Sequence, residues 1–290
     1  MTYRDRFRVK PGKRVDLAKY QTDDTAGLSD KSHALTLLQR KVARIAKLQD
    51  RMYADATSSL LIILQAMDAA GKDSTIKHVM SGIDPRGCHV QSFGPPSKEE
   101  LGHDYLWRTV KVLPARGHIY VHNRSHYEEV IITKVHPEIL QAQRLPREAY
   151  GPSIFEDRYR QISAFEQHLV ENGTVVLKFF LHVSREEQAE RLLARMEDPE
   201  KHWKVQLGDL RERSLWKKYR GAYEEAFRAT STKHAPWYIV PADHKWFTWL
   251  AVATIIEEAL DSMNPKYPKV STSSTPEWIS ARRALQNELK

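Results

Sequence analysis

The chain has 290 residues, of which 41% are hydrophobic and 28% are charged, and it carries a formal net charge of +8. These fractions are typical of a globular protein and exclude an intrinsically disordered one, and no apolar run approaches the ~20 residues that a membrane-spanning helix needs. The excess of positive charge favours a polyanionic partner, although charge alone does not choose among nucleic acid, an anionic membrane and an inorganic polyanion.

The single cysteine, Cys88, excludes an internal disulfide and a zinc site built from several cysteines. The first residues are basic but include no apolar segment, so they are not expected to form a secretory signal. Together these two features predict a reducing, cytoplasmic location.

Short apolar runs alternate along the chain with longer segments of helical periodicity. In residues 31–55 leucine, valine and isoleucine recur every three to four positions, which predicts an amphipathic helix. The predicted strands are 59–66, 88–93, 118–123, 174–183 and 237–242. The remaining predicted helices are 74–83, 98–113, 125–136, 156–173, 184–198, 210–230 and 245–260. Ser97 with Glu100, and Ser184 with Glu187, have the spacing of capping boxes.

This alternation predicts an α/β fold with a parallel sheet between two layers of helices. Residues 1–30 are expected to form an irregular N-terminal arm, residues 31–262 the main domain, and residues 263–290 a peripheral C-terminal tail. Within the main domain, residues 185–230 contain helices without an intervening strand, so a helical lid is expected there.

The first strand runs into the segment QAMDAAGKDST, residues 65–75, which resembles the P-loop pattern G-x-x-x-x-G-K-[ST]. A tight turn before a helix directs several backbone N–H groups at one anion, and Lys72 adds a full positive charge. Two positions depart from the pattern, since Ala66 replaces the first glycine and Asp73 replaces the Ser or Thr that contacts Mg²⁺. Asp68 would repel phosphates unless a cation lay between them, so it is predicted to bind Mg²⁺.

The segment NRSHYE, residues 123–128, follows the strand at 118–123. Ligands of open α/β sheets bind at this end of the strands, and the guanidinium of Arg124 suits phosphate oxygens. Asn123 stands where P-loop proteins often have a metal-binding Asp. The alternative interpretation is an ordinary strand-to-helix turn in which Ser125 and Glu128 form a capping box.

A third group of basic residues lies in the predicted lid. Arg191 and Arg195 share one helix face, and Lys201 and Lys204 follow. Such a helix could close over phosphates and neutralise their charge. The alternative is a solvated face on which these arginines pair with neighbouring glutamates. The thirteen histidines show no metal-binding spacing.

The chain resembles the polyphosphate kinase 2 family over residues 30–262. The resemblance rests on six blocks in order, from MDAAGKDSTIKHVMSGIDPRG through SFGPPSKEELGHDYLWR, NRSHYEEV, DRYRQISAFE and LKFFLHVSREEQAERL to the stretch from DPEKHWK to ATSTKHAPWYIVPADHKW. NRSHYE and APWYIVPAD resemble the subgroup that phosphorylates both nucleoside monophosphates and diphosphates.

This resemblance implies a thymidylate-kinase-like P-loop fold with a helical lid, a Mg²⁺ requirement in which Mn²⁺ can substitute, and a homodimer or homotetramer. It assigns Asp68 and Lys72 to the Walker A motif and Arg124 to the site of transfer. The residues expected to bind phosphates are Ala69, Ala70, Gly71, Asp73, Lys77, Arg191 and Arg195. Asn123 and Glu128 are expected on the nucleotide side.

The expected activity is reversible transfer of the terminal phosphoryl group of inorganic polyphosphate to AMP, ADP or both. The first alternative is an ATP-dependent nucleoside monophosphate kinase, which would share the fold and the reaction class. The second is a nucleic-acid-binding protein without catalytic activity, but no RNP, KH or helix-turn-helix signature supports it. Neither nucleic acid nor membrane is therefore expected as a partner.

Overall fold

In the computed structural model, which describes residues 2–205, 207–269 and 275–289, a parallel sheet forms the centre of the molecule. Its order is β2–β3–β1–β4–β5, so the first strand lies in the middle. The strands are β1 Ser59–Ala66, β2 Cys88–Ser92, β3 Ile119–Asn123, β4 Thr174–His182 and β5 Trp237–Pro241. All five predicted strands are confirmed to within one residue at each end.

Helices flank this sheet and continue into both termini. They are α1 Tyr3–Phe7, α2 Lys31–Asp55, α3 Lys72–Val79, α4 Trp107–Val110, α5 Glu128–Val135, α6 Pro137–Gln141, α7 Ile154–Glu171, α8 Arg185–Glu197, α9 Leu207–Ser214, α10 Trp216–Thr230, α11 Lys245–Met263 and α12 Pro276–Glu288. A Gly173 in the left-handed conformation (φ +91°) follows α7, as the Gly stop signal predicts. None of the helices in the described part of the chain is long and apolar enough to cross a membrane.

Side chains of the central strand alternate between two cores, as the two-residue period of a strand requires. Leu60, Ile62 and Leu64 face the core formed with α2, α3 and α11, whereas Leu61 and Ile63 face the core formed with α5, α7 and α10. Because both faces are covered, β1 is buried along its whole length. The predicted three-layer α/β fold is confirmed.

The N-terminal arm, expected to be irregular, is folded onto the domain. Phe7, Val9, Val15 and Leu17 are all buried. The backbone N–H of Val9 donates to the carbonyl oxygen of Trp237 at 2.8 Å. The arm follows the edge of β5 and forms no long helix or strand. Its apolar residues therefore show no periodicity, and the sequence did not indicate this packing.

Two predicted helices are interrupted. Residues 98–113 form only a 3₁₀ turn and the short α4, although Ser97 and Glu100 exchange the two hydrogen bonds of a capping box at 2.7 and 3.2 Å. The predicted helix 210–230 breaks at Leu215 into α9 and α10. Just before this break the Ser214 hydroxyl donates to the carbonyl oxygen of Arg211 at 2.6 Å, a local bond that competes with the helical pattern.

The segment expected to form the lid is not uniform. Ala222, Tyr223, Ala226 and Phe227 of α10 are buried against the α5–α7 layer, so this half of the segment belongs to the core. The C-terminal helix α12 has no buried residue.

Candidate active site

The turn between β1 and α3 has the shape of an anion-binding loop. Ala69 and Gly71 both adopt left-handed conformations, with φ of +59° and +108°, and α3 begins at Lys72 without a side-chain cap. The N–H groups of its first turn are therefore free of side-chain partners and point out of the loop, where the helix dipole favours an anion.

Lys72 folds back over this loop, and its ammonium donates to the carbonyl oxygen of Ala66 at 3.2 Å. Burial and the nearby guanidinium of Arg124 lower the pKa of Lys72, while the carboxylates of Asp68, Glu128 and Asp73 oppose that shift. A cation held in such surroundings gains from the approach of an anionic substrate, because the substrate replaces lost solvation.

Arg124 lies opposite the loop. Its guanidinium donates to Asp68 at 2.9 Å and lies 3.7 Å from Glu128, while its backbone is left-handed with φ +63°. The capping box proposed as an alternative is absent at this turn, since the Ser125 hydroxyl accepts the N–H of Tyr127 at 3.1 Å rather than that of Glu128. Glu128 instead points toward Arg124, so the turn is built around that arginine.

Oxygen donors that fit a divalent cation lie on the same side. The side-chain amide of Asn123 donates to Asp73 at 2.7 Å, and its carbonyl oxygen is buried without a partner. Carboxylates of Asp68 and Asp73 line the same cleft. Mg²⁺ typically takes one or two carboxylates and completes its shell with phosphate and water oxygens, which matches this donor set. Among the described residues, no three His, Cys, Asp or Glu side chains form a self-contained metal cluster.

A basic cleft of about 730 Å³ runs from the loop toward the lid segment. Seven basic and five acidic side chains line it. The lining residues are Asp68, Ala69, Gly71, Lys72, Asp73, Ser74, Asn123, Arg124, Glu187, Glu190, Arg191, Ala194, Arg195, Lys201, Trp203, Lys204, Asp209 and Lys245. The cations at its outer end come from α8, α11 and the 3₁₀ helix Pro199–Lys204, so one extended polyanion would contact all three.

A second, smaller pocket lies on the other side of the same pair of residues. It shares Asp68 and Arg124 with the basic cleft, but half of its lining residues are apolar or aromatic. The other lining residues are Ala66, Met67, Glu128, Ile131, Ile132, Gln188, Glu212, Arg213, Tyr219 and Tyr223. Its volume of about 40 Å³ is far below the ~300 Å³ of a small-molecule site, so in this conformation the pocket is too small to hold a small molecule.

Arg191 differs from the sequence expectation. It is buried, and all five of its N–H donors are used within the protein. The acceptors are the Ala69, Ala70, Ala242 and Asp243 carbonyl oxygens, at 2.6 to 3.2 Å, and the Glu187 carboxylate, at 2.6 Å. In this arrangement Arg191 holds the back of the loop and has no donor left for a phosphate.

Of the other residues expected to bind phosphates, some face the basic cleft and others do not. Arg195 faces the basic cleft with a single ionic contact, 4.0 Å from Asp209. Ala70 is buried beneath the loop, where its N–H donates to Met67. Lys77 lies in the last turn of α3 and does not line the cleft, because five residues of helix turn it away from the loop.

Two charged residues of the cleft were not identified from the sequence. Lys245 begins α11, and burial together with the charge of Arg191 lowers its pKa. Asp209 lies on α9, and burial together with Asp68 raises its pKa. Both come from segments distant in sequence from the loop. No local motif marks Asp209, whereas Lys245 lies within the block APWYIVPADHKW, which could have pointed to it.

Comparison with known proteins agrees with this geometry. The sequence profile described as Polyphosphate kinase 2 (PPK2) matches residues 28–268. The chain belongs to the polyphosphate kinase 2 family. The resemblance noted in the sequence is thereby confirmed.

Relatives within this family cover nearly the whole chain. An ADP-polyphosphate phosphotransferase of Rhodopseudomonas palustris is 48% identical over 96% of this chain and 97% of its own. An AMP/ADP-polyphosphate phosphotransferase of Meiothermus ruber is 42% identical over 93% and 97%, respectively. The crystal structure of Polyphosphate Kinase 2 from Arthrobacter aurescens superimposes with a TM-score of 0.89 at 38% identity, covering 99% of this chain and 97% of that one.

Proposed function

We propose that this protein transfers the terminal phosphoryl group of inorganic polyphosphate to AMP or ADP, reversibly and with a divalent cation. The observation that carries the proposal is the position of Asp68 and Arg124 between two pockets of different character. The basic cleft suits a long polyanion, and the second, smaller pocket, which is lined by Tyr219 and Tyr223 among others, suits one face of a nucleotide. The relatives named as polyphosphate phosphotransferases support the same donor and acceptors.

The chemistry requires charge neutralisation and alignment rather than a general base. The acceptor is already an anionic phosphate, so no proton must be removed before it attacks. Lys72, Arg124 and the free N–H groups of the loop would hold the phosphates around the transfer point and oppose the charge that spreads over them. Displacement of water by the closed lid segment would protect the donor from hydrolysis.

Mg²⁺, with Mn²⁺ as a substitute, is the cation we propose. Asp68 is the proposed ligand, and Asp73 and Asn123, which line the same cleft, would support it directly or through water. The cation would supply electrostatic stabilisation of the bridging phosphate oxygens. We further infer that the protein is cytoplasmic and forms a homodimer or homotetramer, as the resemblance to its family implies.

The direct test uses purified protein, Mg²⁺ and long-chain polyphosphate with either AMP or ADP, and measures ATP. ATP formed from ADP alone would identify a diphosphate-specific enzyme. Formation of ADP and ATP from AMP would identify an enzyme that uses both acceptors. If polyphosphate gave no product while ATP phosphorylated a nucleoside monophosphate, the protein would instead be an ATP-dependent kinase and the proposed donor would be wrong.

A further inference from the structure

A fully buried ion pair lies beneath the Arg124 turn and takes no part in the proposed chemistry. Lys178, on β4 next to the central strand, and Glu166, on α7, have side chains with no exposed area. The Lys178 ammonium also donates to the Tyr127 hydroxyl at 2.9 Å and to the Thr230 carbonyl oxygen at 2.8 Å. These three contacts use all of its donors.

The Tyr127 hydroxyl closes a triangle with this pair. It accepts from Lys178 and donates to Glu166 at 2.8 Å. Burial acts to raise the pKa of Glu166, but the charge of Lys178 outweighs it and the pKa of this carboxyl is lowered. The tyrosine ring packs edge-on against Trp237, with ring centroids 4.7 Å apart. Tyr127 is therefore fixed by both its hydroxyl and its ring.

Such a pair is an expensive way to stabilise a core. Desolvation costs several kcal/mol for each buried ion, and apolar residues of similar volume often give equal or greater stability. Lys178 interrupts the apolar run of the strand TVVLKFFLH. The pair provides a directional constraint that apolar residues cannot provide. Lys178 and Glu166 can both hydrogen-bond to the Tyr127 hydroxyl only when that hydroxyl occupies one position.

That position matters because Tyr127 ends the turn that carries Arg124. Its N–H donates to Ser125, and its carbonyl oxygen accepts the N–H groups of Val130 and Ile131 as α5 begins. Arg124 meanwhile adopts a left-handed backbone, which is strained for a residue other than glycine and persists only where the surroundings enforce it. The turn thus needs an anchor at its far end.

We propose that the buried Lys178–Glu166 pair is a positioning device that acts through the Tyr127 hydroxyl to hold Arg124 in its left-handed conformation facing Asp68. The inference rests on the proposed function, since it assigns Arg124 a task in phosphoryl transfer. Tyr127, Lys178 and Glu166 touch no substrate and are positioning residues. Their effect on the rate passes through Arg124.

A double-mutant cycle on Tyr127→Phe and Arg124→Ala tests this route. Tyr127→Phe keeps the ring and removes only the hydroxyl. In the otherwise unchanged protein we expect kcat/KM for ADP with polyphosphate to fall about 10- to 100-fold, because a displacement near 1 Å of a catalytic group has effects of this size. In the Arg124→Ala background the same change should alter kcat/KM by less than about 2-fold, the scatter expected of independent sites.

If Tyr127→Phe acted by destabilising the whole protein, it would lower kcat/KM by the same factor with and without Arg124. Equal factors in both backgrounds, or a kcat/KM for Tyr127→Phe equal to that of the parent, would overturn the proposal. Ser59→Ala is the matched control, because it also removes a buried hydroxyl, here hydrogen-bonded to Thr174 at 3.0 Å at the opposite end of the sheet. We expect it to leave kcat/KM unchanged. A loss equal to that of Tyr127→Phe would make the effect unspecific and refute the proposal.

A second variant covers the case in which Tyr127→Phe does not fold. The double replacement Lys178→Met with Glu166→Leu removes both charges together, so no single ion is left unpaired, and it is expected to fold. It should lower kcat/KM as Tyr127→Phe does, and retention of the full rate would contradict the proposal. The parent protein is assayed alongside: its failure to make ATP from polyphosphate would refute the proposed function, whereas a normal parent with an additive cycle would refute the positioning role alone.

Discussion

Replacing Arg191 by methionine separates two roles for this residue. The sequence suggests a lid arginine that binds phosphate, whereas the structure shows a buried guanidinium bound to the loop carbonyls of Ala69 and Ala70 and to those of Ala242 and Asp243. A phosphate-binding arginine could be removed with little change in stability. An arginine that ties three segments together could not.

The structure sets the expected size of the effect. Arg191→Met keeps the length of the side chain but leaves four carbonyl oxygens without their charged donor, and each unsatisfied buried group costs about 1–3 kcal/mol. Such costs overlap within one site, so we expect a total near the ~3–5 kcal/mol of a broken buried charged network. For a chain of 290 residues, with an unfolding entropy of about 2.1 cal/mol/K per residue, that lowers Tm by about 5–8 °C.

Arg195→Met is the matched control, because Arg195 lies one turn further along α8 and faces the basic cleft, and its one ionic contact within the described residues is with Asp209 at 4.0 Å. We expect Arg195→Met to keep the parent's Tm and to raise KM for polyphosphate. The assays are thermal unfolding followed by circular dichroism, and initial rates over a range of polyphosphate concentrations. If Arg191→Met kept the parent's Tm and raised only KM, our reasoning would be wrong and Arg191 would be a direct phosphate ligand.

Three further changes test the site. Asp68→Asn should abolish turnover that depends on Mg²⁺ and leave the unfolding transition intact, so near-normal activity would remove Asp68 from the mechanism. Lys72→Met should lower kcat by about 10²–10³-fold, as expected for loss of one preorganised charge; an effect on KM alone would contradict this. Burial opposes protonation of His136, but hydrogen bonds to Glu212 and Glu138 prevail and raise its pKa. The stability gained from these contacts is fully present below the unfolded-state pKa of about 6.5 and is lost as pH rises through the higher folded-state pKa. In urea denaturation, His136→Gln should therefore destabilise the protein more at about pH 5.5 than at about pH 8.5. An equal loss of stability at both pH values would contradict this prediction.

Local patterns in the sequence were sufficient for the order of the elements and for the loop. The strand SLLIILQA, the turn containing Gly71 and Lys72, and the capping residue Ser184 each depend on neighbours within a few positions. Propensity, periodicity and capping act at that range. Arg124 could be assigned to the site for a related reason, since the carboxyl ends of parallel strands share one edge of the sheet.

Tertiary structure alone decided what the charged side chains do. Arg191 and Arg195 look equivalent in the sequence, yet one is buried under the loop and the other faces the cleft, because α8 meets the loop at Arg191 and Arg195 lies one turn beyond that contact. In the same way, the sequence alone gives no reason for a charged Lys178 within an apolar strand segment. The structure supplies the reason, because Glu166 and Tyr127 are its hydrogen-bond partners. A charge costs or contributes free energy according to its burial and its partners, and both are fixed by residues far away in the chain.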